Sequence, residues 1–581
     1  MKKYIGKALS LLTAVMLFVL CIPVNARAAN TDDLSDLGGR IEAFVAENKD
    51  TMAGLMVSVA DRGGDIYTSY FGYADMENKI PVDDETVMEW GSISKLQVWV
   101  SVMQLKEKGL ISLDEDIRAY LPDGFLTRLK YDTPKTMTDL MNHQAGFDEV
   151  PFIWAGSEEQ LMPIEEWLKR TEPAQVYEPG TISSYSNWGA ALAAYIVECV
   201  SGQPYEKYVR EHIFEPLGME HTSIMPDASD NEWVRNKRRT LKTYPADLSG
   251  EPLSFGDYYC YPYPAGACMS TMADMQRFAG ALLDENSPLF ERPETHRELL
   301  SPSDHYNDTD IGSNYHGFCY NIFYSGTVIG HLGATVGCST ALWIDIEKGV
   351  YIAVMTNQHE ESTFTDGLPE LIFERYEGEL PEFKGFVQSS QVVRSGPFKL
   401  QRLFGIQYLT LDSTKKTHTR ISRTHENGID RFKAGSSDLI VKEKGDVLPD
   451  IVSIAVYAIS VLIAVIMLIV GIIRAVRHGK SGNNAWCILS AGIQLIPMFV
   501  LYNVVRQLVL EQPPFLSIGT VRLMLVPIFA VLIANIALIV HGVRSLTKSD
   551  TSKAISFVTL VMLVLGTYGI AYWELFEFWK I

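Results

Sequence analysis

A serine three residues ahead of a lysine is the simplest pairing in this chain that can do covalent chemistry. In Trp90-Gly91-Ser92-Ile93-Ser94-Lys95 the pattern predicts an amphipathic helix opening at Ser92 and running to Lys108. The i, i+3 spacing puts both side chains on one face. A lysine amine that is desolvated and set among positive dipoles can release its proton and act as base toward the hydroxyl. The helix N-terminus favours the negative charge that develops as the oxygen attacks. Spacing alone is a weak signal, because Ser-x-x-Lys recurs at Ser413–Lys416 and Ser545–Lys548. Only Ser92 has the right surroundings. Downstream, Tyr185-Ser186-Asn187 follows Glu178-Pro179-Gly180 and heads the helical run Trp188–Val200, while His331-Leu332-Gly333-Ala334 follows a strand at Thr327–Ile329.

These three elements, in this order, resemble the class C β-lactamase and low-molecular-mass penicillin-binding protein family of serine hydrolases. The similarity spans roughly residues 35–380 and extends to Ile111-Ser112-Leu113-Asp114-Glu115-Asp116, Leu140–Gly146, Gly202-Gln203-Pro204-Tyr205, Pro216-Leu217-Gly218-Met219 and Ala265-Gly266-Ala267. The resemblance implies an acyl-enzyme on Ser92, with Lys95 as base and Tyr185 relaying the proton to the leaving group. It implies that Asn187 positions Lys95 and the substrate amide. It also implies an oxyanion hole of the backbone N–H groups of Ser92 and Ala334, a kind of donor worth about 2.7–4 kcal/mol each.

One position departs from the family pattern. Where β-lactamases and carboxypeptidases carry Lys-Thr-Gly, this chain has His331-Leu332-Gly333, which loses a fixed cation and a hydroxyl that bind a substrate carboxylate. Efficient penicillin hydrolysis is therefore not the expectation. A structural histidine and a substrate contact both remain open for His331. His143 is expected to fix a loop. Asn caps helices well, so a cap is the plain alternative for Asn187. No His/Glu cluster has metal-ligand spacing and no Gly-rich loop heads a helix in phosphate-binding style, so neither metal nor cofactor is expected.

The elements that must position these residues follow from periodicity. Leu34–Val45 reads as a helix. Met52–Ala60 and Ile66–Phe71 read as strands around a turn at Asp61-Arg62-Gly63-Gly64-Asp65, and 318–324, 327–331, 339–346 and 350–355 read as further short strands. The expected fold is α/β (α+β), a β-lactamase/DD-peptidase-like arrangement. One mostly antiparallel sheet is closed by both ends of the domain, and a helical lobe is inserted between them.

Four segments are expected. Residues 1–29 have a basic start, an apolar run and Ala26-Arg27-Ala28, the layout of a signal peptide. Residues 30–383 form the hydrolase domain, 384–448 a basic juxtamembrane stalk or small β region, and 449–581 a four-helix transmembrane bundle. Its apolar runs, at about 451–473, 485–505, 523–543 and 554–573, each approach the 20 residues needed to cross a bilayer. Arg474, Arg477 and Lys480, then Arg544, Lys548 and Lys553, fall in loops that the positive-inside rule places in the cytoplasm. The hydrolase domain is then extracytoplasmic. Over residues 28–383 there are 25 basic against 59 acidic side chains, whereas 384–448 has 12 against 6. The acidic field reads either as solubility and colloidal repulsion or as steering toward neutral or cationic substrates, since it repels anions; nucleic acid is not an expected partner. Of the seven cysteines, Cys21 lies in the leader and Cys487 in an apolar run, and the rest read as buried hydrophobes with at most one disulfide.

The expected activity is a membrane-anchored extracytoplasmic serine hydrolase, first as a peptidase or amidase on D-amino-acid-containing peptides. Cell-wall stem peptides are one substrate class. Another is the acyl-D-amino-acid leader of secreted prodrugs, since leader, hydrolase domain and C-terminal spans together resemble the peptidases that remove it. The expected partners are a small peptide or ester substrate, membrane lipid around the C-terminal helices, and an exporter or the cell wall. An esterase or transesterase on wall polymers, or a β-lactamase, is the alternative. A penicillin-binding or sensory protein without turnover is a third reading.

Overall fold

The computed structural model describes residue 34 and residues 36–580, apart from 149, 151–152, 307–309, 319–321, 394–395, 404, 479–481, 507–517 and 547–552. The signal peptide expected at 1–29, with Cys21, and also Cys319 lie outside the described residues. The chain forms two compact units: the described residues up to Phe383 with Thr410–Ile440, and Lys384–Leu409 with Val441–Ile581.

The first unit is organised on an antiparallel sheet. Its strands are β1 (Gly54–Asp61), β2 (Gly64–Asp75), β3 (Ile80–Pro81), β4 (Val328–Ala334), β5 (Ser339–Asp345) and β6 (Val350–Thr356), in spatial order β4-β5-β6-β1-β2-β3. Asp61 pairs with Gly64, so Arg62-Gly63 is a two-residue hairpin loop. Alternation sorts the side chains. Leu55, Val57 and Val59, with Ile352 and Val354, pack on helix α1 (Leu37–Asn48) and on Phe364, Leu368, Ile372 and Phe373. Met56, Tyr351, Ala353 and Met355 face the helical lobe inserted between β3 and β4. β1, β5 and β6 are covered on both faces, which is why they are near-continuous apolar runs, whereas β2 is only partly buried. Of the strand expected at 318–324, the described residues hold an isolated bridge from Tyr324 to Arg375.

At the centre of the lobe α2 (Lys95–Glu107) packs on α3 (Asn187–Ser201). Here the structure departs from the amphipathic helix expected from Ser92. The stretch from Ser92 begins as a 3₁₀ turn at Gly91–Ser94, and the helix it leads into is not amphipathic: every residue from Lys95 to Leu105 is buried. Its polar positions are paired inside, with Gln104 donating to the carbonyls of His212 (3.0 Å) and Leu289 (2.8 Å), and Ser101 to that of Gln97 (2.8 Å). Among the described cysteines, Cys199, Cys260, Cys268, Cys338 and Cys487 are free thiols.

Residues 384–448, expected as a stalk or small β region, carry strands. Three of them, β7 (Ser422–Glu426), β8 (Ile429–Lys433) and β9 (Leu439–Lys442), form an antiparallel meander. The second unit holds α4 (Lys444–His478), α5 (Gly482–Val505), α6 (Ile518–Leu546) and α7 (Lys553–Tyr572), four helices long and apolar enough to cross a membrane. Each packs on its neighbours through small and polar groups: Ser460 donates to the Met562 carbonyl (2.9 Å), and Asn535 to Gln494 (2.9 Å). At one end Lys399 pairs with Glu574 (2.7 Å), and Arg402 pairs with Asp450, which also accepts from Tyr572.

Candidate active site

The turn that carries Ser92 is fixed by backbone contacts before any side chain acts. Trp90 donates its N–H to the Cys268 carbonyl (2.7 Å), accepts from Thr340 Oγ1 (2.8 Å), and buries an indole N–H donated to Ser270 (2.8 Å). Gly91 has φ +53°, the left-handed region open to glycine. A Cβ at Gly91 would stand 2.5 Å from Ala334 N, and one at Gly333 would stand 1.9 Å from the Trp90 carbonyl. The two glycines let β4 lie directly against the turn. Ala334, an expected oxyanion donor, is thereby brought beside the chain at Ser92, the other donor.

Lys95 is fully buried at the start of α2. Its Nζ lies 3.0 Å from Ser92 Oγ, 2.8 Å from Asn187 Oδ1 and 2.7 Å from the Ala265 carbonyl oxygen. A carbonyl oxygen only accepts, so once the ammonium gives up the proton it directs at Ser92 Oγ, its two remaining N–H groups can be spent on Asn187 and Ala265, leaving the lone pair for the Ser92 hydroxyl. Three contacts of this kind hold the Lys95 amine against the Ser92 hydroxyl, the geometry a general base requires. Asn187 begins α3, but the cap is Ser186, whose hydroxyl accepts from Gly189 N (2.9 Å). Asn187 is thus left with its amide turned to Lys95. Ala265 belongs to a segment quoted above for its resemblance alone; the sequence gives no sign that its carbonyl meets the lysine.

Tyr185 is half-buried, with its ring 4.8 Å from Lys95 Nζ, 4.5 Å from the His143 ring and 6.1 Å from the His331 ring. Ser92, Lys95, Tyr185, Asn187, His331, Gly333 and Ala334 are therefore gathered around one centre from three distant parts of the chain. His331 is 2% exposed; burial, reinforced by the Lys95 charge, lowers its pKa to about 3. It is neutral near pH 7, and because its Nδ1 meets the Leu332 carbonyl, the proton sits on Nδ1. His143 is buried and pushed well below the usual range by burial, then by Lys95 and His331. Its Nδ1 accepts from Ser186 N (3.3 Å), which puts its proton on Nε2. A neutral imidazole, His331, thus stands where the Lys-Thr-Gly pattern would bring a cation, and a second, His143, lies against Tyr185, whose ring also neighbours His331.

The Beta-lactamase family model matches residues 40–377. The chain belongs to that family, a family of serine hydrolases. Within it, the chain is 25% identical over 324 residues to penicillin-binding protein 4* of Bacillus subtilis (strain 168), covering 53% of this chain and 69% of that protein. To the D-alanyl-D-alanine-carboxypeptidase/endopeptidase AmpH of Escherichia coli (strain K12) it is 26% identical over 182 residues, 30% of this chain and 46% of that one. The crystal structure of D-amino acid amidase from Ochrobactrum anthropi SV3 with D-phenylalanine aligns with a TM-score of 0.47 at 24% identity, covering 58% of this chain and 97% of its own.

Proposed function

We propose that the chain is a membrane-anchored hydrolase that acts outside the cytoplasm through an acyl-enzyme on Ser92. The observation that carries this reading is the buried Lys95 amine, held at once by Ser92 Oγ, Asn187 Oδ1 and the Ala265 carbonyl. Ser92 Oγ attacks a carbonyl carbon while its proton passes to Lys95. The oxyanion is met by the N–H groups of Ser92 and Ala334, and Tyr185 relays the proton to the departing nitrogen or oxygen. Water then releases the acyl group.

Neutral His331 and His143 favour an acyl donor that presents no carboxylate beside Tyr185. An internal peptide bond, an amide or an ester meets that condition. Our first choice is a peptidase or amidase on D-amino-acid-containing peptides, a class in keeping with the name of the AmpH relative; an esterase is favoured by the same neutral site. Membrane anchoring rests on the four apolar helices.

Fluorescent fluorophosphonate and fluorescent penicillin, each applied to the wild type and to Ser92→Ala, test the reading. Labelling by fluorophosphonate alone, lost in Ser92→Ala, is the expected result, and labelling by neither overturns the acyl-enzyme. A panel of N-acyl-D-amino-acid amides and D-alanyl esters then separates peptidase from esterase.

A further inference from the structure

Residues 183–186, which carry Tyr185, run extended between two segments that alternate in holding their N–H groups. On one side His143 provides both acceptors: Ser184 N donates to its carbonyl (2.7 Å) and Ser186 N to its Nδ1 (3.3 Å). On the other side the acceptors come from the loop between β8 and β9, more than 250 residues away in sequence. Ser183 N donates to Asp438 Oδ2 (3.0 Å), Tyr185 N donates to Ser437 Oγ (3.2 Å), and Asp438 N donates back to the Ser183 carbonyl (2.9 Å). Alternate N–H groups of an extended chain point to opposite sides, so each neighbour takes every second one.

The loop is itself firmly held within the same unit. Asp438 is 1% exposed and paired with Arg431 of β8, and Arg431 also meets Glu426 (3.0 Å). Lys433 of β8 donates to Asp304 (2.9 Å) and to the His305 carbonyl (2.9 Å), and Gln144 links Asp304 (3.2 Å) to Ser183 Oγ (3.1 Å). Gly435, at φ +81°, turns the chain into the loop. Basic residues that composition assigns to a juxtamembrane stretch are thus spent on buried pairs beside the Tyr185 segment. The matched family region ends at residue 377, so His143 lies inside it and the 437–438 loop outside it.

We infer that Ser437 and Asp438 are positioning residues for Tyr185, supplied by a segment of this chain beyond the family domain. They fix the backbone of Tyr185, whose ring lies 4.8 Å from Lys95 Nζ. This rests on the acyl-enzyme reading above for its effect on rate, but not for its effect on Tyr185 itself.

The test uses the full-length protein in detergent, as wild type, Ser437→Ala, Ser437→Thr and Asp438→Asn, with two readouts. The first is labelling by a fluorescent fluorophosphonate, resolved into maximal rate and half-saturating concentration. The second is the ¹⁹F resonance of 3-fluorotyrosine placed at position 185. Ser437→Ala should lower the maximal rate about ten- to a hundredfold, as misplacement of a catalytic group does, with the half-saturating concentration unchanged. It should also shift or split the ¹⁹F line, and Ser437→Thr, which keeps the acceptor oxygen, should restore both. Asp438→Asn, similar in size, shows the same pattern more weakly. An unmoved ¹⁹F line in Ser437→Ala and Asp438→Asn overturns the inference, whatever the labelling. So does a loss of rate that follows loss of thermal stability and is not rescued by threonine. If the wild type does not label while the ¹⁹F line still moves, the positioning stands and the acyl-enzyme reading fails.

Discussion

A histidine as buried as His331 has to stay neutral, and that requirement makes the fold sensitive to acid. Its pKa falls from the ordinary 6.5 to about 3, through burial first and the Lys95 charge second. The unfolded chain therefore binds a proton that the folded one refuses between those values. The stability tied to this residue is present above about pH 6.5 and drains away as pH falls toward 3. Between pH 7 and pH 5 the loss is about 2 kcal/mol. Buried acids act in the opposite sense over the same range, Glu361 being raised to about 7 and Asp438 to about 6, chiefly by burial. The wild-type curve mixes the two, so the comparison with His331→Gln is what isolates the histidine. The variant should lose less stability than the wild type between pH 7 and pH 5 in chemical denaturation; equal losses would mean that His331 accepts its proton in the folded state. At Lys95 the expectation concerns chemistry. Lys95→Met keeps the volume and removes the amine, so fluorophosphonate labelling should drop to the level of Ser92→Ala, at about 1–3 kcal/mol in stability for each oxygen left unpaired.

At the scale of elements, the site depends on how closely β4 meets the turn at Gly91. Gly91 and Gly109 share a positive φ, but a Cβ at Gly109 meets nothing within 4 Å whereas one at Gly91 meets the backbone of Gly333 and Ala334. Gly109→Ala should cost about 1 kcal/mol and leave labelling intact. Gly91→Ala must push β4 away, which should cost at least about 2 kcal/mol and abolish labelling. Equal behaviour of the two variants, by melting temperature and labelling rate, would remove the close approach from the account. The same elements explain what the sequence reveals. The sheet is legible because burial on both faces writes itself as apolar runs such as Ala341-Leu342-Trp343-Ile344, and Ser92, Lys95, Tyr185 and Asn187 sit in compact motifs at element starts. Helix α2 misleads, because Gln97, Ser101 and Gln104 look like a wet face until their buried partners are seen. Ala265 acts through a backbone carbonyl, which no residue type announces. Ser437 and Asp438 meet Ser183 and Tyr185 only by tertiary folding, across a separation that leaves no local pattern.

For the whole molecule, the course of the chain decides what a fragment can do. We propose, from the positive-inside rule applied to Arg474, Arg477 and Arg544, that the unit carrying Ser92 and the C-terminus both lie outside the cytoplasm. Alkaline phosphatase fused after residue 581 should be active and fused after residue 480 inactive; the reverse pattern would turn the protein over. The chain leaves the first unit at Phe383, enters the helical unit as Lys384–Leu409, returns as Thr410–Ile440, and only then runs into α4. A fragment ended at Phe383 contains the entire family match, and by homology alone it should be sufficient. It lacks the loop that accepts from Ser183 and Tyr185, and it uncovers Asp304, which Lys433 pairs. We expect such a fragment, expressed behind the same leader, to label with fluorophosphonate at least about tenfold more slowly per folded molecule than the full chain. Labelling at the full-chain rate would show that the returning segment is a tether and nothing more.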